Sequence, residues 1–296
     1  MVRQSRLLRV LAITLLVAFA STVLVPSAMA SNFRVSFKNT NIEITSPTVN
    51  QSGYNGHITI TGKSSLDTVY LAFRGPGGEM TVNPVNVTNG AFALDTNLRF
   101  GQGTYTVWAG SDSRRFDGSI RFEVVNDETA TTAYLTESAY VDSEHPLIQE
   151  KLAEITNENM TDIETLKAIH AFVASNVAYD YELFRSGENI LTKASDTLQA
   201  LTGTCRDYSF LFAALSRAAG IETKVVYGDA STSAWGTALH AWNEAYVNGE
   251  WISIDTTWDA GFLRNGSFVQ APTTKYFNPN AAVFGMTHTP TIYTTH

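Results

Sequence analysis

The amino-acid sequence predicts a two-domain protein, in which an all-β sandwich is followed by an α+β domain. Two changes of pattern indicate this. Between residues 31 and 130, apolar and polar residues alternate in short runs separated by glycine-rich turns, which is typical of half-buried strands. From residue 147 onward, apolar residues recur at helical spacing and further strands follow the helices. A chain of 296 residues is long enough for two such domains with separate cores.

Residues 1–30 have the pattern of an export signal. Three arginines, at positions 3, 6 and 9, precede an apolar run that extends to Val25, and a small-residue cleavage site ends at Ala30. A retained membrane anchor is the alternative, because the apolar run is nearly long enough to span a bilayer. The Ala-x-Ala ending favours cleavage after Ala30. We therefore expect a bacterial protein that is secreted or associated with the cell surface.

Residues 31–130 are predicted to form the sandwich. Turn sequences such as Asn89-Gly90 separate the alternating runs, and their spacing suits roughly seven strands in an immunoglobulin-like or fibronectin-like module. This domain has no persuasive cluster of acids, histidines or aromatic residues, so its expected role is a spacer or a modest binding surface. The clearest alternating runs are residues 58–61, 69–73, 105–108 and 120–124.

Residues 131–146 are rich in Thr, Ser, Asp and Glu and are predicted to link this domain to a second one, at residues 147–296. Helical spacing begins directly after Pro146. A capping-box pattern at residues 161–164 and a glycine at position 220 mark the start of one helix and the end of another. Four helices are predicted, starting near residues 147, 161, 196 and 204.

Cys205 is the single cysteine of the chain. Exported proteins usually pair their cysteines in disulfides, so a lone thiol with an export signal indicates chemistry. It falls in the first turn of a predicted helix, where unpaired backbone N–H groups and the helix dipole stabilise a thiolate. A buried structural cysteine is the alternative. The polar neighbours Gly203, Thr204, Arg206 and Asp207 argue against it.

A predicted β-hairpin supplies a base and a carboxylate. Strands at residues 239–247 and 250–257 flank Asn248-Gly249, the signal of a two-residue type I′ turn. This register places His240 opposite Thr257, and Asp255 diagonally on the same face. Asp255 can then fix the tautomer of His240, whose second nitrogen faces Cys205. A histidine on a strand is, alone, more often a core residue, but the three residues together predict a catalytic triad.

The same residues resemble the three sequence blocks of the transglutaminase-like superfamily, in the same chain order. The blocks are residues 203–208, 240–244 and 254–258, and the resemblance covers residues 147–258. It implies a papain-like α+β core with Cys205 as nucleophile, His240 as base and acid, and Asp255 as the orienting carboxylate. Some members place proline after the aspartate, where this chain has Thr256. The resemblance does not extend to the large calcium-dependent animal enzymes, so calcium dependence is not implied.

The implied reaction is acyl transfer through a thioester on Cys205, whose backbone N–H would stabilise the oxyanion. Three residues are candidates for the second oxyanion donor: Gln199, Tyr179 and Tyr181. Gln199 has the spacing used by papain-like proteases, but it could equally be a helix-surface residue. Trp242 and Trp258 are candidate cleft walls, joined by Trp235, and core packing is the alternative for these aromatic residues.

Charge and residue spacing exclude other classes of function. The formal net charge of −8 leaves no basic surface for nucleic acid. We expect no cofactor and no metal, because one cysteine cannot form a thiolate zinc site and the other histidines are scattered: His57, His145, His170, His288 and His296.

The expected partner is a protein or peptide substrate, with cell-wall and surface proteins among the candidates. Contact with the membrane is expected only through the signal segment during export. Acyl transfer to an amine is the leading expectation. Two alternatives stay open: hydrolysis by a cysteine peptidase or amidase, and a binding or scaffold protein on the same fold without turnover.

Overall fold

The computed structural model describes residues 34–188, 190–232 and 236–294. Residues 35–296 fall into one compact unit. The predicted signal segment, Trp235 and His296 lie outside the described residues. In the described part of the chain, no helix has the length and apolar character needed to cross a membrane.

The described N-terminal region contains eight strands in two sheets, which confirms that it is rich in strands. The sheets have the orders β1-β3-β6 and β2-β8-β7-β4-β5. Both contribute to one apolar cluster, in which Ile60, Leu71 and Phe122 are fully buried. The strands are β1 Ile42–Ser46, β2 Gln51–Tyr54, β3 His57–Ser64, β4 Thr68–Arg74, β5 Met80–Asn86, β6 Ala91–Asn97, β7 Gly103–Gly110 and β8 Arg121–Asn126.

The segment predicted as a linker packs against residues on both sides of it in the chain. The Thr132 N–H donates to the carbonyl of Arg99 at 2.9 Å, and the carbonyl of Tyr134 accepts from Thr223 N–H at 2.8 Å. Ala133 and Val141 are buried. The proposed domain boundaries stay a prediction, because close packing of a segment does not settle whether the two regions fold independently.

The C-terminal region combines helices with a four-stranded sheet of order β13-β12-β11-β16. The four predicted helices are confirmed within a few residues by α1, α2, α4 and α5. The helices are α1 Pro146–Ile155, α2 Asp162–Asn176, α3 Tyr181–Ser186, α4 Ala194–Ala200, α5 Cys205–Ala218, α6 Thr256–Ala260 and α7 Ala281–Phe284. The strands are β9 Ala178–Tyr179, β10 Thr202–Gly203, β11 Thr223–Thr232, β12 Gly236–Val247, β13 Glu250–Ile254, β14 Gly261–Arg264, β15 Ser267–Gln270 and β16 His288–Thr294.

Helix α5 is the central element of this region. It packs on β11 and β12 through fully buried side chains that include Phe210, Leu211 and Leu215. Gly220 follows the helix at φ 78°, a left-handed conformation that glycine adopts without steric cost. The apolar face of α5 is therefore fixed against the sheet, and its first residue is fixed with it.

The hairpin of β12 and β13 has the predicted register from Val247–Glu250 to Asn243–Ile254. Asn248 and Gly249 both have positive φ, as a type I′ turn requires. The prediction that the second strand continues to Thr257 is wrong. The strand ends at Ile254, because Asp255 caps helix α6 by accepting a hydrogen bond from Trp258 N–H, and Thr257 therefore lies in that helix.

The chain after residue 261 packs back on the sheet. Its last described strand, β16, pairs with β11 and places His288 beside Ala230. Pro290 has no backbone N–H to donate, and this strand forms an edge of the sheet, where proline is tolerated. The sheet thereby gains a strand that brings a histidine toward Asp255.

Candidate active site

The thiol of Cys205 lies at the first residue of α5 and is partly exposed. The start of this helix is held by Asp207, whose Oδ2 accepts from the Thr204 N–H at 2.7 Å and from its hydroxyl at 2.9 Å. A Cβ at Gly203 would lie 2.5 Å from the Cβ of Asp207, so only glycine leaves room for this cap. The motif around Cys205 therefore builds a capping box that presents the thiol at the positive end of the helix dipole.

The structure places Cys205, His240 and Asp255 together. The Nε2 of His240 lies 2.8 Å from Oδ2 of Asp255, and Cys205 lies close enough to His240 to interact with its ring. Because Nε2 faces the carboxylate, Nδ1 is the ring nitrogen left for the thiol. Both His240 and Asp255 are buried, with exposed fractions of 8% and 0%. The site thus consists of a hydrogen-bonded histidine–carboxylate pair beside a partly exposed thiol.

The electrostatics of the pair favour its charged form. Burial alone lowers the pKa of His240, but the charge and hydrogen bond of Asp255, with a smaller contribution from Cys205, outweigh burial and raise the pKa to about 10. Burial would raise the pKa of Asp255, whereas the charges and hydrogen bonds of His240 and His288 hold it well below its usual range. The imidazolium and the carboxylate therefore stabilise each other at neutral pH.

These shifts predict how stability depends on pH. His240 contributes fully below its unfolded pKa of about 6.5, and the contribution is lost as pH rises through the higher folded value. Asp255 contributes fully above about pH 3.9 and loses its contribution as pH falls through its depressed folded pKa. We expect urea unfolding to show a decline in stability from pH 6.5 to pH 10 that is smaller in His240→Gln. Parallel pH curves for the two proteins would contradict this.

His288 is a site residue that the sequence pattern does not reveal. Its Nε2 lies 3.1 Å from the same Oδ2 of Asp255 that bonds His240. Its ring stacks on Phe284 with 3.8 Å between centroids, and its Nδ1 lies 2.9 Å from the hydroxyl of Thr287. The expectation that the remaining histidines are scattered is therefore wrong for His288. The threonine-rich alternation of residues 287–294 is the strand signal that could have brought it to the site.

One atom each from His240, Asp255 and His288 lies within 4.8 Å of the others, a spacing that could suit a metal ion. Both ring nitrogens are already within hydrogen-bonding distance of the carboxylate, at 2.8 and 3.1 Å. A metal ion would have to break both bonds to bind. The arrangement is accounted for by hydrogen bonding, and the expectation of no metal stays a prediction.

A second buried histidine–aspartate pair holds the other end of α6. The Nε2 of His170 lies 2.9 Å from Oδ2 of Asp259, which also accepts from the Tyr276 N–H. This pair joins α2 to α6. Helix α6 is thus anchored by Asp255 at its start and by Asp259 near its end, although it has only five residues.

Asn243 connects the helix that carries Cys205 to the strand that carries His240. Its side chain is fully buried, and its Nδ2 donates to the carbonyl of Ser209 at 3.0 Å and to that of Lys224 at 3.1 Å. Ser209 lies in α5 and Lys224 in β11. This amide fixes the distance between the two elements.

Tyr179 is the oxyanion candidate that strand pairing places beside the residues preceding Cys205. Strand β9 pairs with β10 in parallel, which places Tyr179 beside Gly203. Burial, followed by negative charge on Cys205, raises the pKa of Tyr179, so its hydroxyl stays protonated and can donate. Tyr181 lines the same cleft. Gln199 is exposed on α4 and is not among the described residues that line this cleft.

The two predicted cleft walls have different positions. Trp258 lines the cleft, with its ring 5.6 Å from that of His240. Trp242 is only 2% exposed and packs with Val226 and Phe284 behind the site. The prediction of a wall is therefore wrong for Trp242, because the rings of Phe284 and His288 pack against it.

Comparison with known proteins supports the family resemblance. Residues 149–256 match the model of the transglutaminase-like superfamily. The chain is 26% identical over 152 residues to the kyphoscoliosis peptidases of Mus musculus and of Homo sapiens, and the match covers 48% of this chain and 23% of each relative. The chain thus spans about a quarter of the length of these curated relatives.

Two solved structures are also similar. A Cytophaga hutchinsonii protein named as a candidate cysteine protease has 20% identity and a TM-score of 0.38, over 84% of this chain and 77% of that one. Red sea bream transglutaminase has 13% identity and a TM-score of 0.31, over 74% and 50% of the two chains. The match to the family model confirms the resemblance read from the three blocks: residues 149–256, which hold Cys205, His240 and Asp255, are a transglutaminase-like superfamily domain.

Proposed function

We propose that the protein is a cysteine enzyme that transfers the acyl group of a protein or peptide amide through a thioester on Cys205. The observation that carries the proposal is the hydrogen-bonded pair of His240 and Asp255, whose imidazole interacts with Cys205 at the start of α5. A thiolate beside an imidazolium is the nucleophile such chemistry needs.

The reaction has two halves. The sulfur of Cys205 attacks the amide carbonyl carbon, and His240 then protonates the nitrogen as the C–N bond breaks, leaving a thioester and a free amine. His240, now neutral, takes a proton from the acceptor as it attacks, and the C–S bond breaks to restore the thiolate. Asp255 keeps the proton of the neutral imidazole on Nε2, so that the unprotonated Nδ1 faces the sulfur.

The negative oxygen that forms in each half needs hydrogen-bond donors. The first is the backbone N–H of Cys205, at a helix position where N–H groups have no partner within the helix. We assign the second to Tyr179, because its neighbour Gly203 places it beside Cys205 and its hydroxyl stays protonated.

Hydrolysis is the second candidate function. It is favoured by the 26% identity to proteins named as peptidases. Water as acceptor would give a peptidase or amidase with the same first half-reaction, so the residues proposed above keep their roles. The two outcomes differ only in which nucleophile reaches the thioester.

We also propose an extracellular location and a supporting role for the N-terminal region. The arginine-rich start, apolar run and Ala-x-Ala site support export. The N-terminal region has two sheets of mainly antiparallel strands that share one core. This arrangement supports an immunoglobulin-like module that acts as a spacer or binding surface. Detection of the protein outside the cell, cleaved after Ala30, would test the location.

The test of function supplies the full-length protein with a peptide library and a fluorescent primary amine, followed by mass spectrometry. Conjugates that form with the wild type and are absent with Cys205→Ala would support transfer. Free acid or cleaved peptide without conjugate at saturating amine would make the protein a hydrolase. No Cys205-dependent product in any peptide pool would favour a binding or scaffold protein.

His288 is expected to act as a positioning residue in this reaction. In His288→Phe the ring can still stack on Phe284, but Asp255 loses one donor, and we expect kcat to fall about tenfold. The pKa of Asp255 would rise, so the acid limb of the kcat profile should move to higher pH. His288→Gln, which can still donate, should restore most of the rate. An unshifted pH profile in His288→Phe would show a purely structural role.

A further inference from the structure

An apolar cleft lies beside His240, which is one of its lining residues. Its volume is about 370 Å³, at the lower end of the range of small-ligand sites. Tyr179 and Phe184 form one side, Ala238 and Leu239 of β12 another, and the hairpin of β14 and β15 contributes Phe262 and Phe268. The cleft therefore opens directly onto the group that would protonate the leaving amine.

The described lining has no carboxylate, ammonium or guanidinium group. Among the described lining residues, His240 is the one that is charged at neutral pH. Asp255 carries the opposite charge beside it. The ring centroid of Tyr179 lies 6.1 Å from that of Phe184 and 6.3 Å from that of Phe268, so the aromatic surface is continuous. A charged group placed here would lose its hydration without gaining a partner, whereas an apolar group would lose only contact with water.

Several large apolar side chains around the cleft are left open to solvent. Leu239 is 81% exposed, Phe262 is 52% exposed and Phe184 is 45% exposed. Single exposed apolar residues are common on protein surfaces, but apolar groups that adjoin one another beside a reactive group indicate a binding surface.

We infer that this cleft binds a large apolar side chain, aromatic or aliphatic, of the acyl-donor peptide, within two residues of the amide that Cys205 attacks. This inference rests on the proposed function. The volume of the cleft suits one such side chain with its flanking backbone. Peptides with lysine or glutamate at that position are rejected, and a cationic acceptor amine reaches the thioester by another route.

Kinetics on peptides randomised at two positions on each side of the reactive amide test the preference. We expect kcat/KM to be at least tenfold higher for Phe or Leu than for Lys or Glu at one of these positions. Phe262→Asp and Leu239→Asp should lower kcat/KM at least tenfold for the Phe peptide, and by a smaller factor for the Ala peptide. Ala238→Phe, which fills the cleft without adding charge, should also penalise the Phe peptide more than the Ala peptide.

Met80→Asp is the matched control, since Met80 is 50% exposed and lies in β5, away from the cleft. It should leave both peptides unaffected. Cys205-dependent turnover with no side-chain preference, or equal effects of Met80→Asp and Phe262→Asp, would overturn the inference while leaving the proposed function standing.

A binding measurement on the inactive protein tests the cleft independently of the proposed function. The Phe peptide should bind to the full-length Cys205→Ala protein and lose at least tenfold in affinity when Phe262→Asp is added. If this binding is found but no peptide gives Cys205-dependent product, the cleft is correct and the proposed function is wrong. Equal affinity for Phe and Glu peptides would overturn the inference.

Discussion

Asp255→Asn is expected to lower kcat by about 10⁴-fold while the protein stays folded. The carboxylate now accepts from Nε2 of both His240 and His288. An asparagine amide presents its NH₂ group to one of these rings, and the ring then turns its unprotonated Nε2 toward it. If this ring is His240, its proton moves to Nδ1. Nδ1 can then no longer accept the proton of the Cys205 thiol. The rate falls because His240 has the wrong tautomer, and not because the substitution leaves a cavity.

The measurement compares kcat for amine incorporation with circular dichroism and urea unfolding of the same samples. Asp259→Asn is the matched control, because it removes one charge from the second buried histidine–aspartate pair on the same short helix. We expect it to reduce stability, with much less than a tenfold effect on kcat per folded molecule. Near-normal turnover in Asp255→Asn would mean that Asp255 serves only as the cap of α6, through its bond to Trp258 N–H.

Local signals in the sequence were sufficient for the core of the site. The helix start near residue 204 and the Asn248-Gly249 turn each depend on a few neighbouring residues, and both were found where predicted. The position of Asp255 was correct although the strand ended one residue before it. A carboxylate at a strand end can cap the next helix and still bond a histidine on the neighbouring strand, so the extended and helical continuations both bring Asp255 to His240.

The other parts of the site depend on contacts between distant segments. His288 reaches Asp255 only because β16 pairs with β11, some sixty residues earlier in the chain, in a register that no local pattern specifies. Trp242 lies in β12 and packs against Phe284 of α7, whereas Trp258 lies in α6 and lines the cleft, and the residue type alone does not distinguish these positions. Gln199 had a favourable spacing by analogy, but spacing along the chain does not determine which side of α4 faces the thiol.

Tyr179→Phe is expected to lower kcat by about 10²- to 10³-fold with little change in KM, the loss measured when one oxyanion donor is removed. The hydroxyl would bond the negative oxygen of the transition state more strongly than the neutral carbonyl of the bound amide, so its removal affects the rate and not substrate binding. Burial and the negative charge at Cys205 raise the pKa of Tyr179, which keeps the donor protonated throughout the neutral range. Tyr181→Phe and Gln199→Ala are the controls.

Each control removes the polar group of another residue that the sequence offered as an oxyanion donor. We expect either substitution to change kcat by less than threefold. Alkylation of Cys205 by iodoacetamide supplies a second readout, since it forms no oxyanion and should proceed at the wild-type rate in Tyr179→Phe. A slower alkylation would mean that Tyr179 acts on the thiolate itself. A large loss in Tyr181→Phe with none in Tyr179→Phe would move the oxyanion donor from β9 to the first turn of α3, because both tyrosines line the same cleft.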